Sequence, residues 1–274
     1  MAFDLNNFVI DRIVRGVALS QKDDSVLFSI NQIQNASLNC ASESTDAVDA
    51  MGTPIATFYR AKSAEFSAEN ALFDMNLMAT QLGTTKKVAS ATSKIVAPAM
   101  ESFTVEGTSH SVKHSPLTYD VVVDGTTKTV SSVKEIYALN GDSTFGTKYT
   151  CGSTASETQF SIADKAITLP TSIKPGTEMF VMYEYETENA VEVVNSATNF
   201  PVGCKFVMEV LGCDVCDQTN LVYAYVIFNN AKLSPDFDWS IATDGTHPFS
   251  MKAQQDYCDK EKRLFSIIIP EVED

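Results

Sequence analysis

Short stretches of alternating apolar and polar residues dominate the chain, and a period of two is the mark of half-buried β-strands. Val26 to Ile30 is a short apolar run, and Ile33 to Cys40 alternates with one mildly apolar face. Ala41 to Gly52 (ASESTDAVDAMG) is small and acidic without any apolar period, which predicts a long, mobile loop. Pro54 opens the next strand, Ile55 to Ala61, continued by Ala64 to Ala68. The two strands make a hairpin whose tip is far longer than an ordinary hairpin turn, and loops of that length are commonly functional or disordered.

The best helical pattern lies in Ser67 to Gly83. Leu72, Phe73, Met75, Leu77, Met78 and Leu82 fall at spacings that build an apolar stripe. Ser67 or Asn70 supplies an N-cap and Gly83 a stop, which predicts a helix over about 69–82 packed across a sheet.

Beyond a Ser/Thr/Lys/Ala stretch from Thr84 to about Met100, the strand rhythm resumes. Asp124-Gly125 sits between Tyr119 to Val123 and Lys128 to Val130, a strong hairpin signal. Further strands are expected at Ser111 to Lys113, Val133 to Leu139, Thr158 to Ile162, Ala166 to Leu169 and Glu178 to Glu186. Residues 101–198 therefore read as an all-β subdomain, a sandwich or barrel with an Ig-like fold among the options, or as an elaboration of the same sheets. The last quarter predicts five strands: Lys205 to Leu211, Thr219 to Asn229, Asp236 to Ala242, His247 to Asp256 and Arg263 to Ile269. The fold class is mainly β, a sandwich or barrel with one α-helix packed on it. Residues 1–100 and 199–274 form one domain, with 101–198 inserted.

Composition narrows the function. Of 274 residues, 44% are hydrophobic and 20% charged, ordinary for a folded chain. No apolar run approaches the length of a membrane span, and Met1 to Arg15, read as an N-terminal arm, lacks a signal-peptide core. Synthesis in the cytoplasm without membrane insertion is expected. The net charge of −15 repels a nucleic-acid backbone and argues against a phosphate-gripping binder.

Motifs for catalysis are lacking: no GxGxxG, no Walker loop, no GxSxG and no HExxH occurs. His110 and His114 read as exposed loop residues, and His247 stands before Pro248 in a turn without an evident partner. Glu184 with Glu186, and Asp236 with Asp238, read as solvated strand faces. The strongest chemical candidate is Cys213-Asp214-Val215-Cys216, with Cys204 upstream and Cys258 downstream as weak zinc ligands. The spacing is not that of two paired knuckles, so a turn between two strands is the preferred reading. No cofactor, no metal and no enzymatic activity are expected.

The order of elements resembles a tailed-bacteriophage tail tube (major tail) protein. The hairpin and helix, Ile33 to Gly83, and the end, Ala231 to Pro270, carry the resemblance, and Ala166 to Pro201 is similar to segments of larger phage virion proteins. The resemblance implies hexameric rings stacked as a hollow tube through which DNA is ejected. It places the long loop, with Asp46, Val48, Asp49 and Met51 as candidates, against an adjacent ring. Partners would be further copies, the tape measure, the terminator and a sheath, with DNA passing an acidic lumen without specific binding. Asp74 and Glu69 on the expected helix add to that acidity. The alternatives are another virion role (capsid decoration, or a neck or tail-terminator ring) and a zinc-binding β module.

Overall fold

The computed structural model describes residues 7–123, 125–257 and 260–270. They form nineteen strands and one helix, a mainly β fold of curled sheets in the sandwich and half-barrel class. The chain divides into two compact units: residues up to Lys86 together with those from Val193, and Lys87–Glu192.

The first unit contains β1 (Phe8–Ser20), β2 (Val26–Ile30), β3 (Ile33–Val48), β4 (Pro54–Asn70) and α1 (Met75–Gln81). The second unit supplies β5 (Lys87–Val88), β6 (Ile95–Thr104), β7 (Ser109–Ser111), β8 (Thr118–Val123), β9 (Thr126–Ser131), β10 (Glu135–Leu139), β11 (Phe145–Cys151), β12 (Gln159–Ala163), β13 (Ala166–Thr168), β14 (Glu178–Thr187) and β15 (Val191–Glu192). The chain then returns to the first unit with β16 (Gly203–Asp214), β17 (Asp217–Leu233), β18 (His247–Ala253) and β19 (Ser266–Ile268).

In the first unit the sheet runs β2-β1-β16-β17-β18-β4-β3, with β19 added beside β17. Its concave core is aromatic: Phe66 lies 5.8 Å from Phe206 and 6.0 Å from both Phe228 and Phe249, ring centre to ring centre. Close packing leaves no room at Gly16 of β1, where a Cβ would stand 2.8 Å from the Phe206 ring. The pairing of β1 with β16 skips at Asp11 and again at Val14, two bulges that bend the strand and deepen the curl. The expected N-terminal arm is thus, from Phe8 onward, a strand of this sheet.

The second unit is a seven-stranded sheet, β6-β14-β10-β11-β12-β13-β7, with β8–β9 and β5–β15 as separate pairs. Val133, Ile136, Phe160, Ile167, Met179 and Val181 are fully buried in it. This unit runs from Lys87 to Glu192, the two residues that pair where β5 meets β15.

Three expectations are corrected. Ala41 to Gly52 is no loop: through Val48 it is strand β3, paired residue by residue with β4, and only a short turn remains. The segment is exposed on both faces, so it has no apolar period, and the ladder is carried by backbone hydrogen bonds with no buried side chains. The helix begins at Met75, not near 69. Ser67 to Asn70 extend β4, whose buried Ala64, Phe66, Ala68 and Asn70 obey a period of two, and Asp74 is the cap. Leu72 and Phe73 are exposed linker residues, whereas Leu77 and Met78 are buried, with Met75 and Leu82 half-buried. Finally, Asp236 to Ala242 forms no strand. Its alternating aromatics serve another purpose: Trp239 stacks on Phe73 at 4.4 Å and Phe237 lies 6.0 Å from the His247 ring.

Candidate assembly surface

Strands β3 and β4 change character along their length. Near the sheet, Phe66 pairs with Leu38 and is buried. Beyond Ser63 all of β4 is exposed, as is β3 past Leu38. The outer arms, 41–48 and 54–63, make a two-stranded ribbon about 25–30 Å long at ~3.3 Å per residue.

A bulge decides what the ribbon presents. Ala41 pairs with Ser63 but Glu43 with Arg60, so β4 carries one extra residue at Ala61-Lys62, where Ala61 has φ +49°. The alternation of β4 is reversed beyond it. Tyr59, Thr57 and Ile55 therefore continue the face of Phe66, together with Ser44, Asp46 and Val48, while Phe58, Arg60 and Glu43 share the opposite face. The Thr57 hydroxyl donates to Asp46 at 2.7 Å, as that parity requires. Ile55 and Tyr59 are each 72% exposed and Met51 is 89% exposed, so the ribbon holds apolar side chains in water. An isolated two-stranded ribbon is marginal in water, and exposed apolar side chains grouped in this way are a feature of interaction surfaces.

The tip is built by Asp49, whose Oδ1 accepts the N–H groups of Met51 at 2.9 Å and Thr53 at 2.8 Å, with Gly52 at φ +86°. Asp46 and Asp49 thus have internal roles in the hairpin, and Val48 and Met51 are the exposed apolar groups at its end.

The sheet also offers free edges. β2 pairs with β1 only from Gly16 onward, so the outer edge of Phe8 to Arg15 takes no strand among the described residues. Likewise β19 and β18 engage β17 from Tyr225 onward, leaving the outer edge at Leu221 to Ala224 without a strand among the described residues. Val9, Ile10, Leu221 and Tyr223 are exposed there. Unpaired edges with apolar side chains are templates for β-augmentation.

The helix is anchored at the root of the ribbon. The Asp74 carboxylate accepts from the N–H groups of Asn76 and Leu77 at 2.9 and 2.7 Å. The Asp74 N–H donates to Nδ1 of His247 at 3.3 Å, so that nitrogen is unprotonated and Nε2 carries the hydrogen. Nε2–H donates to Gln81 Oε1 at 2.8 Å, and Gln81 Nε2 donates to the Pro248 carbonyl at 3.1 Å. His247 is fully buried, and burial pushes its pKa down. Pro248 carries a turn signal in the sequence, whereas the partners of His247 lie 173 and 166 residues away along the chain.

The cysteines do not converge. Cys213 and Cys216 flank the tight β16–β17 turn, where Asp214 Oδ1 accepts the Cys216 N–H at 2.7 Å. Cys204 is buried at the other end of β16, nine residues or about 30 Å away. These thiols cannot share a zinc ion, and Cys258 lies outside the described residues. Among the described residues no group of three or more His, Cys, Asp or Glu side chains could hold a metal. His110 is a half-buried member of β7 rather than a loop residue, stacked on Phe103 at 3.6 Å.

A curled β-sheet with open edges, a projecting ribbon and a helix clamped at its root defines a structural, assembly-type subunit. The family comparison specifies it further: the model of the YomU/Tube protein family matches residues 8–264, and the chain belongs to that family. This agrees with the resemblance to phage tail tube proteins. No curated protein matches the chain.

Proposed function

We propose that this subunit closes into hexameric rings that stack as a phage tail tube and conduct DNA during ejection. The single observation that carries the reading is the ribbon, an ordered arm with exposed apolar residues on both faces, in a chain of the tube family. Lateral closure would join the free edge of β1 in one copy to that of β17 in the next. This head-to-tail contact forms a ring when its rotation closes. The ribbon would then reach the adjacent ring, with Val48, Met51, Ile55 and Tyr59 covered there. A net charge of −15 on each subunit repels a transiting phosphate backbone and favours passage without adhesion. Tape measure, terminator and sheath proteins are the partners this role calls for.

Electron microscopy of negatively stained protein tests it. Purified subunit is expected to form tubes. Replacing residues 43–60 by an Asn-Gly turn is expected to leave a folded protein that no longer stacks. Unaltered tubes from that variant would sink the ribbon's assigned role, and rings that never stack would favour a neck or terminator ring.

A further inference from the structure

The second unit carries a half-open cleft of about 550 Å³, lined chiefly by Pro98, Tyr119, Glu135, Tyr137, Met182 and Glu184. That volume is within the ~300–1,000 Å³ usual for small-molecule sites. The cleft lies on the solvent side of the sheet. Ile136, Val181 and Tyr183 point into the core, so their neighbours Tyr137, Met182 and Glu184 point the other way, and Met182 is 54% exposed.

Both tyrosines are preset. Tyr119 donates its hydroxyl to Glu184, and Tyr137 donates to Glu135 Oε2 at 2.5 Å. The Lys148 ammonium holds the other Glu135 oxygen at 3.0 Å. Ser132 fixes the backbone under Glu184, donating to its carbonyl at 2.9 Å and accepting its N–H at 3.2 Å. Each carboxylate oxygen can accept more than one hydrogen bond, so both groups keep accepting capacity at the cleft. Rings held in place lose little entropy when a ligand stacks on them.

Charge selects the ligand class. Two carboxylates oppose a phosphate, while Lys134 on the wall and Lys148 on Glu135 balance them, so the cleft is no well for a cation. What remains is a neutral ligand with an apolar face and many hydroxyl donors. A pyranose ring has that form: C–H groups on its face and hydroxyls around its rim. We propose that the cleft binds a neutral saccharide of one or two pyranose rings. A sugar face lies against Tyr119 or Tyr137, sugar hydroxyls donate to Glu135 and Glu184, and Lys134 donates to a further hydroxyl.

Saturation-transfer NMR on the full chain tests this directly, because it tolerates assembled protein. The probes are cellobiose, maltose and N,N′-diacetylchitobiose at about 10 mM, well above a millimolar dissociation constant. At least one is expected to receive saturation at its ring C–H protons. Tyr119→Ala and Tyr137→Ala are each expected to weaken binding about tenfold, the scale of one lost aromatic contact. Tyr119→Phe keeps the stacking face and is expected to retain most of the signal, which separates stacking from a folding defect. Transfer unaffected by both alanine variants would overturn the proposal. So would silence with all three disaccharides together with no signal on an array of neutral glycans, or a preference for peptide or phosphorylated probes. The inference does not rest on tube assembly: the protein with residues 43–60 replaced is expected to bind the same sugar.

Discussion

The two ends of one hairpin obey different physics. At its root β4 alternates strictly: Ala64, Phe66, Ala68 and Asn70 are buried, Phe66 and Ala68 within an aromatic core. Ten residues away the same strand has no core, and Ile55, Phe58 and Tyr59 stand in water. The root is specified by burial, which makes a one-residue slip costly, whereas the ribbon is specified by backbone pairing, a bulge and a capped turn. A monomer gains nothing from the ribbon's apolar groups. On the proposed reading another subunit covers them, and the contrast supports assembly.

Substitutions at the two ends should separate these roles. The largest effect is expected at Phe66→Ala, which empties the centre of the aromatic cluster and should cost about 3–5 kcal/mol in denaturant unfolding. A loss below ~1 kcal/mol would show that the root is not held by its core.

Next comes His247→Ala, which deletes the bond to Gln81, strands the Asp74 N–H and should cost about 2–3 kcal/mol. The same clamp has a pH signature. Burial lowers the imidazole pKa below its ordinary 6.5. Above that value the imidazole is neutral in both states and its stabilisation is complete. As pH falls through 6.5 the unfolded chain takes up the proton first, so stability declines until the folded-state pKa is passed. Melting temperature should therefore drop as the buffer is acidified below 6.5, and this histidine's share of the drop should vanish in His247→Ala.

Asp74→Ala removes the cap of a seven-residue helix and should cost about 1 kcal/mol, read by the same denaturant titration. The smallest effect on stability belongs to the ribbon. Ile55→Ser combined with Tyr59→Ser should change the unfolding free energy of unassembled subunit by no more than about 0.5 kcal/mol. Sedimentation should nevertheless show the loss of large assemblies. A double variant that unfolds the subunit but assembles normally when folded would reverse the contrast.

Legibility in the sequence follows the same division. Strands with a buried face are legible in the sequence: the apolar run Val26 to Ile30 and the segments Lys205 to Leu211 and Glu178 to Glu186 all lie in observed strands. The ribbon reads as a loop because an element with two wet faces has no period. The expected helix starts too early because Leu72 and Phe73, which lie in an exposed linker, mimic an apolar stripe, and Asp74, the actual cap, falls inside the expected span. The cleft tyrosines leave no local signal, since Glu135 and Glu184 are brought together by the pairing of β10 with β14 and Tyr119 reaches Glu184 only from the separate β8–β9 pair.

By itself the sequence determined a mainly β chain with a single helix, a hairpin leading into that helix and an acidic composition, because composition and local period are properties of neighbouring residues. Only the tertiary structure decided where that hairpin stops being core and becomes ribbon, which face Tyr59 joins after the bulge, and which partners His247 finds. Those outcomes depend on register and on contacts between residues far apart in the chain, and a one-residue shift in pairing reverses them.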